Sequence, residues 1–196
     1  MSHHFADITF TDGVKAAQAH DGSRKHNDRL QSDFGPNDEL SPREVDFIGL
    51  RDTFYMATVS ESGWPYVQHR GGPPGFLRVL GPNKLAYADF RGNRQLISAG
   101  NLSSNDRVSL ILMDYPGRRR LKVLGHMRVE DARNVSPQVL EEVDLQNYRA
   151  LVERVVTIDV MAFDWNCPAH ITRRYTESEL ADLRVVQTDS EQGNDQ

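Results

Sequence analysis

The chain reads as a mainly β protein with short helices (α+β), an antiparallel sheet closed or partly closed into a barrel. Three observations lead there. Six or seven segments are rich in β-forming residues. Most are joined by turns too short for a crossover, which forces antiparallel pairing. Helical segments are few and short, so the sheet must hide its own edges, and closure is the natural way to do so.

Residues 1–40 are polar and mixed. Val14, Ala16, Ala17 and Ala19 support one short helix, interrupted by Gly13, Gly22 and Gly35–Pro36. This stretch is expected to be an N-terminal arm leaning on the body or on a partner chain. The body, residues 41–186, opens on a helix running to about Arg51. Ser41 is a good N-cap, Pro42 suits the first helical position, Glu44 can close a capping box, and Leu40 and Val45 are spaced for a staple. Strands are predicted at 53–59 and 65–70 about the turn Glu61-Ser62-Gly63, and at 76–80 and 84–88 about Gly81-Pro82-Asn83. A short helix at 94–99 is expected to end at Gly100. Strands follow at 108–113 and 121–129. Ser136-Pro137 starts a helix whose apolar positions Val139, Leu140, Val143 and Leu151 share a face. Val155–Phe163 is the last strand, and Thr176 with Glu179 makes a second capping box. Residues 187–196 are almost devoid of apolar groups and read as a disordered tail.

The net charge of −5 argues against a nucleic-acid surface, which needs a dominant basic patch. A single Cys allows no intrachain disulfide and fits a reducing, cytoplasmic setting. No signal-peptide pattern and no membrane-length apolar run is present, so no membrane partner is expected. No Walker loop, dinucleotide fingerprint, nucleophile elbow, His-Glu-x-x-His or Cys-x-x-Cys occurs. No metal is expected, because His3 and His4 on a loose arm make a poor site.

Two segments concentrate chemistry. Tyr66–Gly75 brings Gln68, His69 and Arg70 to a strand end beside Gly71, where glycines let a backbone approach a flat ligand. Ala88-Asp89-Phe90-Arg91-Gly92-Asn93-Arg94-Gln95 follows a strand and opens a helix. Its arginine forks, Asn93 and the helix amides suit a phosphate. Taken singly, the same residues also describe a tight hairpin and a polar helix start.

As a pair, in this order, they resemble the pyridoxamine 5′-phosphate oxidase family of FMN-binding split β-barrels. The resemblance implies that Arg70 lines the isoalloxazine and that Arg91, Asn93, Arg94 and Gln95 bind the FMN phosphate. It also sets Arg120 or Lys122 in the strand that carries a flavin-contacting Gln in that family. A third segment, Phe163-Asp-Trp-Asn-Cys-Pro-Ala-His170, resembles a run found in a bacterial subgroup of these flavoproteins. There it reaches the flavin of the neighbouring chain, which implies contacts from Trp165, Asn166, Cys167 and His170. A core role for Trp165 and a buried, inert Cys167 are the alternatives.

The family implies FMN as cofactor and a homodimer with FMN sites at the subunit interface. It implies an oxidoreductase passing hydride or electrons between NAD(P)H, or an unidentified small-molecule substrate, and an acceptor such as oxygen. A non-catalytic flavin carrier, sensor or stress protein is the alternative, and a haem or deazaflavin barrel a third reading. Pyridoxamine phosphate is not the expected substrate, because the Arg-Leu substrate segment near the family's C-terminus is replaced here by a polar tail.

Overall fold

The computed structural model describes residues 3–33, 35–145, 148–165 and 169–182. Its strands are β1 (Thr53–Val59), β2 (Pro65–Gly71), β3 (Arg78–Gly81), β4 (Lys84–Phe90), β5 (Arg107–Asp114), β6 (Arg119–Asp131) and β7 (Val152–Trp165). They form one sheet in the order β2-β1-β5-β6-β7-β4-β3, antiparallel at every step. The expected mainly β, antiparallel architecture is present.

The sheet curls until its two ends meet through side chains. Phe54 of β1 stacks on Phe76, just ahead of β3, with ring centroids 5.5 Å apart. It meets Tyr87 of β4 edge-on, also at 5.5 Å. Aromatic pairs of this kind add roughly 0.5–1.5 kcal/mol each beyond the area they bury. Alternation fills the interior: Phe54 and Met56 on β1, Leu110 and Leu112 on β5, Leu121 and Val123 on β6, Val156 and Ile158 on β7 are all buried. Since β2 and β3 do not pair, the barrel is split along that seam.

Gly125 marks a register shift between β6 and β7. Here β7 carries an extra residue, Met161, so Leu124 faces Ala162 while Gly125 faces Val160. The bulge tightens the approach so far that a Cβ on Gly125 would lie 2.6 Å from the Asp159 carbonyl oxygen.

The body helix α4 (Pro42–Gly49) has the full capping box between Ser41 and Glu44. Leu40 enters the core, whereas Val45 stays 38% exposed. The arm departs from the expected single helix. It forms α1 (His4–Thr9), α2 (Asp12–Asp21) and α3 (Arg24–Asp33), with Gly22 closing α2 in the left-handed conformation. Gly13 does not interrupt α2, because it sits in the first turn, where the helix does not yet depend on it. The arm is tied to the body by Phe163 N–H to the Asn37 carbonyl, 2.8 Å.

Two further helices differ from expectation. α5 (Ile97–Asn101) starts three residues late and runs through Gly100, because Arg94 and Leu96 both adopt left-handed backbone. α6 (Pro137–Val143) stops before Leu151, which is 57% exposed. The second capping box is present: Glu179 accepts from the backbone N–H and hydroxyl of Thr176, ahead of a helical turn at 177–182. The tail expected at 187–196 lies outside the described residues. Among the described residues no helix is long and apolar enough to cross a membrane.

Candidate functional site

Strand alternation decides which of the candidate residues can meet. On β2, Gln68 and Arg70 pair with Met56 and Phe54 and face the barrel interior, while His69 pairs with Tyr55 on the outer face. The His69 ring there bonds the Thr53 hydroxyl at 2.5 Å and meets the Tyr55 ring edge-on. His69 is therefore not brought together with Arg70 within one chain.

Arg70 is the first member of a chain of charges. Its guanidinium donates to Asp89 Oδ1 at 2.6 Å, and Arg154 Nε donates to Asp89 Oδ2 at 2.8 Å. Arg154 also pairs with Glu153 at 3.5 Å, and Arg91 Nε donates to Glu153 Oε1 at 2.8 Å. The hydrogen bond from Arg91, helped by the field of Arg91, Arg94 and Arg154, holds the Glu153 carboxyl below the ordinary carboxylate range against an opposing effect of burial. Four guanidiniums thus face two carboxylates, and Arg70 Nε is buried without a partner. An excess of positive charge with donor capacity left over is what an anionic ligand needs. Arg70 also lies over the Tyr87 ring at 5.7 Å. Burial pushes the Tyr87 phenol far up, so it stays neutral under the guanidinium.

The loop after β4 supplies the remaining polar groups. Ala88 is buried toward α6, and Phe90 packs on Tyr148 at 4.9 Å. Asn93, Arg94 and Gln95 are exposed, with Asn93 Oδ1 accepting from the Gln95 N–H at 3.1 Å. The helix expected to begin at Arg94 does not offer its amides to a phosphate, since α5 begins at Ile97. The loop itself, held open by left-handed Arg94 and Leu96, presents the side chains instead.

Gln68 is tied from behind. It donates to Ser98 Oγ at 2.5 Å; Ser98 contacts Thr58 Oγ1 at 3.2 Å, and Asn101 donates to Thr58 at 2.9 Å. Thr58, Ser98 and Asn101 are all buried, so this network fixes α5, and with it the end of the arginine loop, against β1 and β2. Neither this network nor the roles of Arg154 and Glu153 is readable in the chain: partners 30 to 65 residues apart leave no local spacing.

The other candidates lie elsewhere. Arg120 projects from the outer face of β6, opposite in phase to Leu121 and Val123, with its Nε buried and unpartnered. Trp165 ends β7. Its indole N–H donates to Glu44 Oε1 at 2.6 Å, its ring meets Phe47 edge-on at 4.7 Å, and Arg43 covers its face at 4.3 Å. Eleven residues of strand, roughly 35 Å, separate it from Arg154. His170 is exposed with left-handed backbone, while Asn166 and Cys167 lie outside the described residues. Among the described residues no cluster of three metal-ligating side chains is present.

A sequence profile of the family described as pyridoxamine 5′-phosphate oxidase matches residues 40–161. No curated protein matches the chain. Among solved structures it is similar to a Lactobacillus delbrueckii protein named for pyridoxamine 5′-phosphate oxidase, with 22% identity and a TM-score of 0.51 over 66% of this chain and 96% of that one. It is also similar to an FMN-binding protein from Syntrophomonas wolfei (9% identity, TM-score 0.44, covering 64% and 83%). HutZ, the haem storage protein of Vibrio cholerae, matches at 18% identity and a TM-score of 0.43, covering 64% and 94%. The first of these shows a common fold, the split barrel.

Proposed function

We propose a function from one premise: this chain belongs to the pyridoxamine 5′-phosphate oxidase family. It binds FMN and acts as a flavin-dependent oxidoreductase. The observation that carries this reading is the surplus of guanidinium groups along Arg70–Asp89–Arg154–Glu153–Arg91, beside the open loop of Asn93, Arg94 and Gln95. A phosphorylated, electron-accepting ring fits that donor set: a dianion balances the surplus, and Arg70 retains an uncommitted Nε–H.

Arg91, Arg94, Asn93 and Gln95 would hold the phosphate. Arg70 and Gln68, on the inner face of β2, would hold the ring edge. FMN, when bound, supplies the redox chemistry, taking hydride from NAD(P)H or a small substrate and passing electrons to oxygen or another acceptor. The protein's share is electrostatic. Arg70, kept in place by Asp89 and the Tyr87 face, sets a fixed positive charge where negative charge develops on reduction. Ser98 holds the Gln68 amide in one orientation. No protein nucleophile is required.

The site is completed by a second copy of the chain. Trp165 stands too far along β7 to join Arg70 within one chain. In a two-fold dimer each site takes its arginines from one copy and its C-terminal segment from the other.

The test is the visible spectrum of the purified protein, followed by anaerobic addition of NADH and then NADPH. A flavin band that bleaches supports the enzyme. A bound flavin that no reductant bleaches favours a carrier or sensor, a Soret band favours haem, and a colourless protein that refuses added FMN overturns the reading.

A further inference from the structure

A cavity of about 1230 Å³ lies between the arm and the outer face of β6 and β7. It is at the far end of β7 from Arg154. Its walls include Phe5 and Phe10 of the arm, Trp165, and the side-by-side residues Lys122 and Asp164. Lys122 and Asp164 are directly opposite each other across the β6–β7 ladder, so their Cβ atoms stand about 5 Å apart. Even so, they do not form an ion pair.

Each has capacity to spare. Lys122 sits over the Phe5 ring at 5.7 Å and keeps ammonium hydrogens for a further acceptor. The Asp164 carboxylate takes a backbone hydrogen bond from Trp165, which leaves most of its lone pairs open. Burial pushes its carboxyl above the ordinary range, and the nearby His3 and Lys122 offset this only in part. Two opposite charges, held a short distance apart but unjoined at the end of an aromatic-walled chamber, form a receptor for a molecule carrying both charges close together.

We infer that this chamber binds a small aromatic zwitterion of the amino-acid type, its ammonium on Asp164, its carboxylate on Lys122 and its ring against Phe5 and Phe10. The arm forms one wall, so binding also seats the arm on the barrel. This site is separate from the arginine cluster, and the inference stands whether or not the barrel carries flavin.

The experiment is calorimetric titration of the full chain with L-phenylalanine, L-tyrosine and L-tryptophan. Saturable binding of at least one is expected. Against the unaltered protein, the matching amino alcohol, which lacks the carboxylate, and the matching arylpropionate, which lacks the ammonium, should each bind roughly tenfold more weakly. Lys122→Met and Asp164→Asn should weaken the amino acid by a similar factor, and Lys122→Arg should retain it. The analogue series needs no variant to fold. Absence of saturable binding, truncated analogues that bind as tightly as the parent amino acid, or competition by FMN for the same site would each overturn the inference.

Discussion

Arg70 and Asp89 sit on strands that do not pair, yet their guanidinium and carboxylate meet at 2.6 Å. β2 is one edge of the sheet and β4 lies next to the other. The ion pair therefore spans the seam at which the barrel is split, and it joins the two segments that carry the candidate ligand-binding groups. Asp89 also holds Arg154, so one buried carboxylate orients two cations. Replacing it leaves Arg70 without a counter-charge and Arg154 with Glu153 alone. Asp89→Asn should cost about 2–3 kcal/mol, below the usual cost of breaking a fully buried pair because both arginines are a fifth to a quarter exposed. Urea unfolding measures it, and a loss under about 0.5 kcal/mol would show that solvent already screens the cluster.

Opposite faces of β2 make a sharp contrast between neighbours. Arg70→Ala should weaken FMN binding by roughly tenfold or more and lower the flavin potential, through loss of a fixed charge beside the ring. His69→Ala, on the outer face, should weaken FMN binding far less. Fluorescence titration with FMN and a redox titration of the two variants decide between them. Equal effects would mean that the ring does not lie on the inner face.

Much of this was legible in the chain, and the limits are instructive. The β-forming residues of 53–59 and the turn at Glu61-Ser62-Gly63 locate β1 and β2, because branched and aromatic side chains suit a half-buried strand and a glycine suits the turn between two strands. The Ser41–Glu44 box locates α4, because capping is a local interaction. The strand period of two already separates Gln68 and Arg70 from His69. Which face matters, however, depends on β4 returning opposite, and that contact is long-range. Arg154 and Glu153 were illegible for the same reason: their partners Asp89 and Arg91 are more than 60 residues away. Leu96 misled the helix start, since no side-chain pattern announces left-handed backbone at a leucine.

Glu44 ties sequence-local and long-range structure together. One oxygen caps α4 through Ser41, and the other accepts the Trp165 indole N–H. Burial acts to raise its carboxyl, but the bonds from Ser41 and Trp165 outweigh it and hold the group below its ordinary value. A carboxylate depressed in the folded state stabilises the fold above its unfolded pKa, near 4.5, and that stability is lost as pH falls through the folded value. The chain should therefore lose stability below about pH 4.5, and Glu44→Gln should flatten that part of the profile. Glu44→Ala should cost about 2 kcal/mol at neutral pH, from the lost cap and the unpaired indole. Urea midpoints from pH 7 down to 3 test both, and an unchanged acid limb in Glu44→Gln would assign the acid sensitivity elsewhere.

Gly125 is the position where the β7 bulge leaves no room for a side chain. Its virtual Cβ lies 2.6 Å from a backbone oxygen and 2.8 Å from Ile158 Cγ2. The oxygen cannot move without breaking the ladder. Gly125→Ala should destabilise by about 1–3 kcal/mol and Gly125→Val by more. A neutral Gly125→Ala in thermal unfolding would mean that the bulge relaxes freely.

Subunit mixing distinguishes a shared site from a self-contained one. The outer face of β2, β1 and β5 exposes Val67 at 62% and Tyr55 at 37%, with Ile111 opposite Tyr55. In the proposed dimer a second copy would cover this patch with two-fold symmetry. Arg70→Ala and Asn166→Ala chains should each bind FMN poorly alone. In a mixed dimer built on shared sites, one site carries both lesions and the other carries neither. Unfolding and refolding an equimolar mixture should therefore restore about one quarter of the sites. Sites built within single chains would restore none. Ile111→Glu should abolish the restoration by keeping the chains apart, which sedimentation velocity would show directly.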